Sequence, residues 1–232
     1  MVSMSSIVVA LGGSLIDLEG DPGFLKNLAE LFKTVSKKHR LLIVVGGGKT
    51  ARKYIKVGRQ LGVDEKRLDE IGILATRLNA LLVASIMGET NTDIPSTTSE
   101  ASDMDKRIVV MGGTTPGHST DMVAAELTLK VSAERFVIAT DVDGIYDKDP
   151  RKYADAKMFT EVTVEKLIEM CGSDWEKAGE HKVIDGSALK IMRRLSCDIF
   201  VVNGKNLRNL GNALQGKTFT GTEIKKKNLG EH

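Results

Sequence analysis

Four short stretches of this chain combine glycine with residues that bind or neutralise phosphate. The first is Gly12-Gly13-Ser14; the second is Gly46-Gly47-Gly48-Lys49-Thr50, with Arg52 just beyond it. Glycine lets the backbone approach a ligand closely and adopt positive φ. A helix start offers free N–H groups at the positive end of the helix dipole. Two such turns imply an anion between them, with Lys49 and Arg52 as counter-charges. Tight turns alone would also use these glycines, but they would not call for both turns and both cations. The third stretch, Gly112-Gly113-Thr114-Thr115-Pro116-Gly117-His118-Ser119-Thr120-Asp121, gathers hydroxyls, a histidine and backbone amides. Helix capping accounts for one of Ser119, Thr120 and Asp121, not for all of them in a row. The fourth, Thr140-Asp141-Val142-Asp143-Gly144-Ile145-Tyr146-Asp147-Lys148-Asp149-Pro150, is an acidic turn carrying an aromatic ring. It could hold a base and ribose, or simply be solvated.

Three named motifs come close to these stretches. Gly48-Lys49-Thr50 matches the end of a P-loop, but the required earlier glycine is Ile43, so the motif fails. Gly46-x-Gly48-x-x-Ala51 matches a dinucleotide fingerprint, which also needs a second strand ending in an acid. The region after Ala51 continues as helix through Tyr54, Ile55 and Leu61, and Asp64 opens another. A calcium loop needs an oxygen ligand and then glycine where this chain has Ile145 and Tyr146, so calcium is excluded.

The loops need elements to position them. Short Val- and Ile-rich runs at 7–11, 41–45, 108–111, 136–139 and 199–202 read as buried strands,. Between them lie helical patterns. Phe24, Leu25, Leu28, Leu31, Phe32 and Val35 share one face; Leu68, Ile71, Leu74, Leu78 and Leu81 share another, on a helix running to about Met87. Ala124, Leu127 and Val131 mark a third helix, and Ile184, Ala188, Ile191 and Leu195 a fourth. Strands alternating with helices predict an α/β fold with a mostly parallel sheet covered on both faces, its ligands beyond the carboxyl ends of the strands. Residues 88–105 are polar, with one poor strand near Ile94 that Pro95 weakens,.

Composition narrows the function classes. The 232 residues allow one large domain, and no repeat or low-complexity linker divides them. A formal charge of +2 gives no global argument for nucleic acid or an anionic membrane. The basic run at Lys225-Lys226-Lys227 reads as a solvated tail,. Cys171 and Cys197 have no CxxC spacing, so two reduced thiols are expected. The start, Met1 to Ser6, is polar, and no apolar run approaches the ~20 residues that span a bilayer. The expectation is a cytoplasmic protein.

The four motifs in this order, each after a strand, resemble the amino-acid-kinase family, and within it the archaeal uridylate kinases. The resemblance spans nearly the whole chain. It implies a three-layer αβα sandwich as a single domain over residues 1–232, with the UMP-binding part mainly N-terminal and the ATP-binding part mainly C-terminal. It implies transfer of the γ-phosphoryl of ATP, as its Mg²⁺ complex, onto UMP. Gly13, Ser14, Gly48 and Arg52 would line the ATP phosphates, and Thr140, Tyr146 and Asp149 would hold the adenosine end. Gly47 would meet UMP, and Asp69 its ribose. Thr114, Thr115, Pro116, Gly117, His118, Ser119 and Thr120 would cradle its phosphate and uracil. Asp121 would orient charge around the transferring group, with Arg52 and Lys49 as catalytic cations. No protein metal ligand and a homohexamer are further expectations. The stretch around Arg77 also matches the family's helix. Isopentenyl-phosphate kinases carry a histidine where this chain has Lys53 and Tyr54.

One departure stands out. Many family members carry a lysine two residues before the first glycine, where this chain has Ala10. Lys49, Arg52 or Lys182 must then supply the charge. Three alternatives remain open: a related kinase acting on carbamate, an amino acid or isopentenyl phosphate; a nucleotide sensor without catalysis; and a dinucleotide-dependent enzyme.

Overall fold

The computed structural model describes residues 4–171 and 184–226, with the side chain of Cys171 excepted. Lys182 and Lys227 lie outside the described residues. In chain order the elements are β1 (Ser6–Leu11), α1 (Pro22–Ser36), β2 (Arg40–Val45), α2 (Gly48–Gln60), α3 (Glu65–Met87), α4 (Thr98–Asp103), β3 (Ile108–Met111), α5 (Thr120–Lys130), β4 (Arg135–Thr140), β5 (Glu161–Thr163), α6 (Val164–Cys171), α7 (Gly186–Met192), β6 (Asp198–Asn203), α8 (Leu207–Leu214) and β7 (Thr222–Lys225).

The five apolar runs become β1, β2, β3, β4 and β6, five adjacent strands of a sheet that has, among the described residues, seven strands in the order β3-β2-β1-β4-β6-β7-β5. All neighbours run parallel except β6 with β7. Side chains alternate across β1. Ile7, Val9 and Leu11 enter one core with Leu28 and Phe32 of α1, Val83 of α3 and Leu210 of α8. Val8 and Ala10 enter the other with Val123, Ala124 and Leu127 of α5 and Leu189 of α7. Both faces are covered, which is why these strands read as continuous apolar runs.

From β1 the chain builds outward through β2 and β3, then crosses to β4 on the other flank. The direction of winding reverses between β1 and β4, and the crevice at such a switch point is where open α/β sheets bind ligands. The register brings the strand ends level: Leu11 pairs with Val45 on one side and Ala139 on the other.

Two expectations need correction. On α3 the stripe Leu68, Ile71, Leu74, Leu78 and Leu81 is not the buried face. Leu68 is buried, but Leu74, Leu78 and Leu81 are exposed. The inward side is Ala75, Thr76, Asn79, Ala80, Val83, Ala84 and Met87. Small and polar residues let α3 approach the sheet and its loops closely, which leaves the leucines outside. By length and composition α3 is apolar enough to cross a membrane, whereas 39% of its most apolar window is buried inside the protein.

No strand forms near Ile94. The buried Asn91 takes the place of one: its Oδ1 accepts from Val110 N at 2.7 Å and its Nδ2 donates to Val110 O at 2.8 Å. Arg77 fixes the following turn by donating to Ile94 O and Pro95 O at 2.8 and 3.2 Å. Asn91→Ala would strand both peptide groups of Val110, so it is expected to cost about 2 kcal/mol or more. Urea unfolding measures this, and a loss under about 0.5 kcal/mol would contradict it.

Candidate active site

The two glycine turns lie against each other at the ends of β1 and β2. Gly12 N donates to Ala139 O at 2.8 Å, and Gly46 N donates to Leu11 O at 2.9 Å. A Cβ on Gly13 would lie 2.1 Å from Gly48 N, and one on Gly48 would lie 2.0 Å from Gly13 O. Gly48 also has φ +56°, a conformation open chiefly to glycine. Backbone therefore meets backbone, and α2 begins at that contact. The buried Asn79 holds the second turn, donating to Gly46 O at 2.9 Å and Gly47 O at 3.2 Å.

The third loop rests on α3. Gly113 N donates to Thr76 Oγ1 at 2.6 Å, and Gly117 N donates to Asp69 Oδ2 at 2.6 Å. Asp69 and this loop, distant in sequence, are thus brought together. Thr115, Pro116 and Gly117 are exposed, while Thr114, His118, Ser119 and Thr120 are half-buried. His118 Nδ1 lies 3.7 Å from Glu126 Oε1. Ser119 is the N-cap of α5, its Oγ accepting from Met122 N at 3.0 Å. Capping thus belongs to Ser119 and leaves Asp121 without that role.

These loops and the turn after β4 enclose a cavity of about 430 Å³, within the ~300–1,000 Å³ typical of small-molecule sites. Gly13, Ser14, Gly47, Gly48 and Arg52 line it together with Thr140, Tyr146 and Asp149 of the turn after β4 and with Thr120 and Asp121 of α5. Lys49, Asp69 and residues 114–119 are not on the wall. Lys49 Nζ lies 3.1 Å from Asp17 Oδ1, whose carboxyl this hydrogen bond holds below the usual range. Lys53 pairs with Glu19 in the same way at 2.6 Å. Ala10 is buried in the core beneath α5.

Sequence reasoning missed two cations and one carboxylate. Lys148 and Arg151 line the cavity. Arg151 is held by Asp141 at 2.7 Å and Lys148 by Asp155 at 2.6 Å. Asp185 caps α7 by accepting from Ala188 N at 2.9 Å, and it also accepts from the hydroxyls of Ser119 and Ser187. It ties α7 to the start of α5. Its signal was legible, since Asp185-Gly186-Ser187 directly precedes an apolar helical pattern. Burial, and then the negative charge of Asp185, push the Asp121 carboxyl up to about 7. Burial also raises the Tyr146 phenol. Cys197 is a half-buried free thiol, pushed by burial up to about 11.

The cavity at the switch point is thus lined by glycine backbone, by Arg52, Lys148 and Arg151, and by the half-buried Asp121. The profile of the Amino acid kinase family matches residues 5–203. The chain belongs to that family. The uridylate kinase of Methanobrevibacter smithii is 40% identical over 221 residues, covering 94% of this chain and 98% of that protein. The uridylate kinase of Thermoplasma volcanium is 44% identical over 227 residues, with coverage of 96% and 98%. The crystal structure of uridylate kinase from Archaeoglobus fulgidus superposes with a TM-score of 0.83 at 37% identity, covering 94% of this chain and 99% of that one. A UMP kinase structure from Ureaplasma parvum, at 22% identity and a TM-score of 0.78, shares the fold.

The Asp121 carboxyl yields a pH prediction. Its folded value of about 7 lies above the ordinary 3.8, so the folded chain keeps a proton that the unfolded chain has released. The stability this group contributes is full below the unfolded value and falls as pH rises toward 7, by at most ~1.4 kcal/mol per pH unit. Asp121→Asn keeps the shape and removes the titration. In urea unfolding without nucleotide or Mg²⁺, the stability of wild type minus that of the variant is expected to fall from about pH 4 to 7. A difference that does not change with pH would mean that Asp121 ionises normally.

Proposed function

We propose that this chain is a uridylate kinase, moving the γ-phosphoryl group of ATP onto UMP to give UDP and ADP. The observation that carries this is one cavity lined by the Gly13 and Gly48 turns, the turn after β4, Thr120 and Asp121, with the rest of the third loop fastened next to it on Thr76 and Asp69 of α3. The Gly13 and Gly48 turns with the turn after β4 form a donor half; the Gly112–Thr120 loop with Asp69 forms an acceptor half beside it. Kinship over nearly the full length with uridylate kinases supports UMP as the acceptor.

ATP occupies the donor half, its phosphates against the amides of Gly13, Ser14 and Gly48 and its adenosine against Thr140, Tyr146 and Asp149. UMP lies across Gly47 and the third loop, with its ribose at Asp69. The phosphate of UMP is already largely ionised near neutrality, its second pKa being about 6, so neither a protein nucleophile nor a general base is needed. A UMP phosphate oxygen bonds to the γ-phosphorus as the bond from that phosphorus to the β–γ bridging oxygen breaks. ADP leaves with the electron pair. Positioning and charge neutralisation supply the rate.

Among the described residues of the sequence set, Arg52 lies on the cavity wall, whereas Lys49 is engaged by Asp17. Lys148 and Arg151 add positive charge to the same cavity, which offsets the lack of a lysine at Ala10. Mg²⁺ bound with ATP would screen the phosphate charges. Asp121, with no hydrogen-bond partner among the described residues and Asp185 nearby, is a carboxylate that suits such a cation. The same reading places the enzyme in the cytoplasm, in pyrimidine nucleotide synthesis, as a homo-oligomer and a hexamer by resemblance. The exposed Leu61, Leu74, Leu78 and Leu81 support self-association,.

The test is ADP release with Mg²⁺ and ATP, comparing UMP with CMP, dUMP, carbamate and isopentenyl phosphate. Selective turnover of UMP is expected. Arg52→Ala should lower kcat/KM by about 10²-fold with an unchanged melting temperature. Turnover of another acceptor in preference to UMP would overturn the assignment, and full activity in the variant would remove the role of Arg52.

A further inference from the structure

We infer that Thr222, far from the motifs in sequence, is a positioning residue for ATP, its hydroxyl holding the turn that carries Tyr146 and Asp149; this rests on the nucleotide reading above. After β4 the chain leaves the sheet, forms that turn and returns to β5. The two limbs meet at their base. Phe159 N donates to Ile145 O at 2.8 Å, Asp147 N donates to Lys157 O at 3.1 Å, and Tyr146 bridges Met158 in antiparallel fashion.

Thr222 is fully buried at this base. Its Oγ1 accepts from Ile145 N at 2.8 Å and donates to Phe159 O at 2.5 Å. One hydroxyl thus uses its donor and an acceptor site to join both limbs, one residue from Tyr146. Gly144 makes room for it: a Cβ there would lie 2.6 Å from Thr222 Oγ1 and 2.9 Å from Met158 Sδ.

Thr222 is itself held in the sheet. It pairs with Val201 of β6, while Glu223 pairs with Glu161 of β5. The approach to β7 is bracketed by Asn209, whose Nδ2 donates to Thr220 O at 2.7 Å and whose Oδ1 accepts from Thr220 N at 2.8 Å. The turn is therefore fastened to the sheet and to α8. The acceptor half is held instead by Thr76 and Asp69 of α3. Loss of the hydroxyl leaves buried peptide groups short of a partner and loosens the donor half alone.

Thr222→Val removes the hydroxyl at nearly constant shape, and Thr222→Ser restores it. The measurements are the Kd of a non-hydrolysable ATP analogue and the KM values for ATP and UMP. Thr222→Val is expected to raise Kd and KM for ATP about tenfold, leaving KM for UMP within about twofold. Thr222→Ser is expected to match wild type. Wild-type ATP affinity in Thr222→Val, or equal loss of both nucleotides, overturns the role of Thr222 alone. Absence of ATP binding by the unsubstituted chain overturns the nucleotide reading and this role with it. Should Thr222→Val not fold, amide exchange on the unsubstituted chain decides. Slow exchange at Ile145, slowed further by the ATP analogue but not by UMP, supports the role; fast exchange indifferent to the analogue refutes it.

Discussion

The contact between Gly13 and Gly48 is the constraint on which the site depends. With no side chain between them, the end of β1 and the start of α2 approach to backbone distance, and any Cβ would overlap a peptide group. That closeness aims the amides of both turns at one volume. It also explains the surrounding hydrogen bonds: Gly12 is fastened to β4 and Gly46 to β1, while Asn79 holds the second turn by its carbonyls. The amides of Gly47 and Gly48 have no acceptor among the described residues. The parallel sheet contributes level strand ends and a switch point. The glycines line that crevice with backbone in place of side chains.

Charge sets the second condition. Bringing two phosphate-bearing anions together needs positive charge where it can reach them, and the first strand offers none because Ala10 is packed in the core. The cations sit instead on α2 and on the turn after β4, each in a different state of restraint. Arg52 is exposed at the cavity, and Arg151 is tethered by Asp141. Lys49 and Lys53 are turned toward Asp17 and Glu19. Asp121 lines the same cavity, its carboxyl raised by burial and by the negative charge of Asp185.

Much of this was legible in the sequence. The central strands announced themselves because strands buried on both faces are unbroken Val and Ile runs. The four loops followed from their place after those strands. The outer elements left weaker marks. In β7 only Thr222 and Ile224 point inward, flanked by Glu223 and Lys225; β5 has three residues; α4 is a short polar turn under a Thr97 cap. The α3 stripe misled because leucine is the usual sign of a buried face. Here close approach required alanine, threonine and asparagine inside. Asn91 and Thr222 could not be recognised as supports from sequence, since each acts on peptide groups brought near only by the fold.

A bisubstrate ligand, uridine and adenosine joined through their 5′ carbons by a chain of phosphates, tests most directly whether both nucleotides share one cleft. Linkage converts the second binding event into an intramolecular one. Binding at least about 10²-fold tighter than ATP alone, with competition against both ATP and UMP, is expected. Binding no tighter than ATP, or competition with only one nucleotide, would contradict a cleft that holds donor and acceptor side by side.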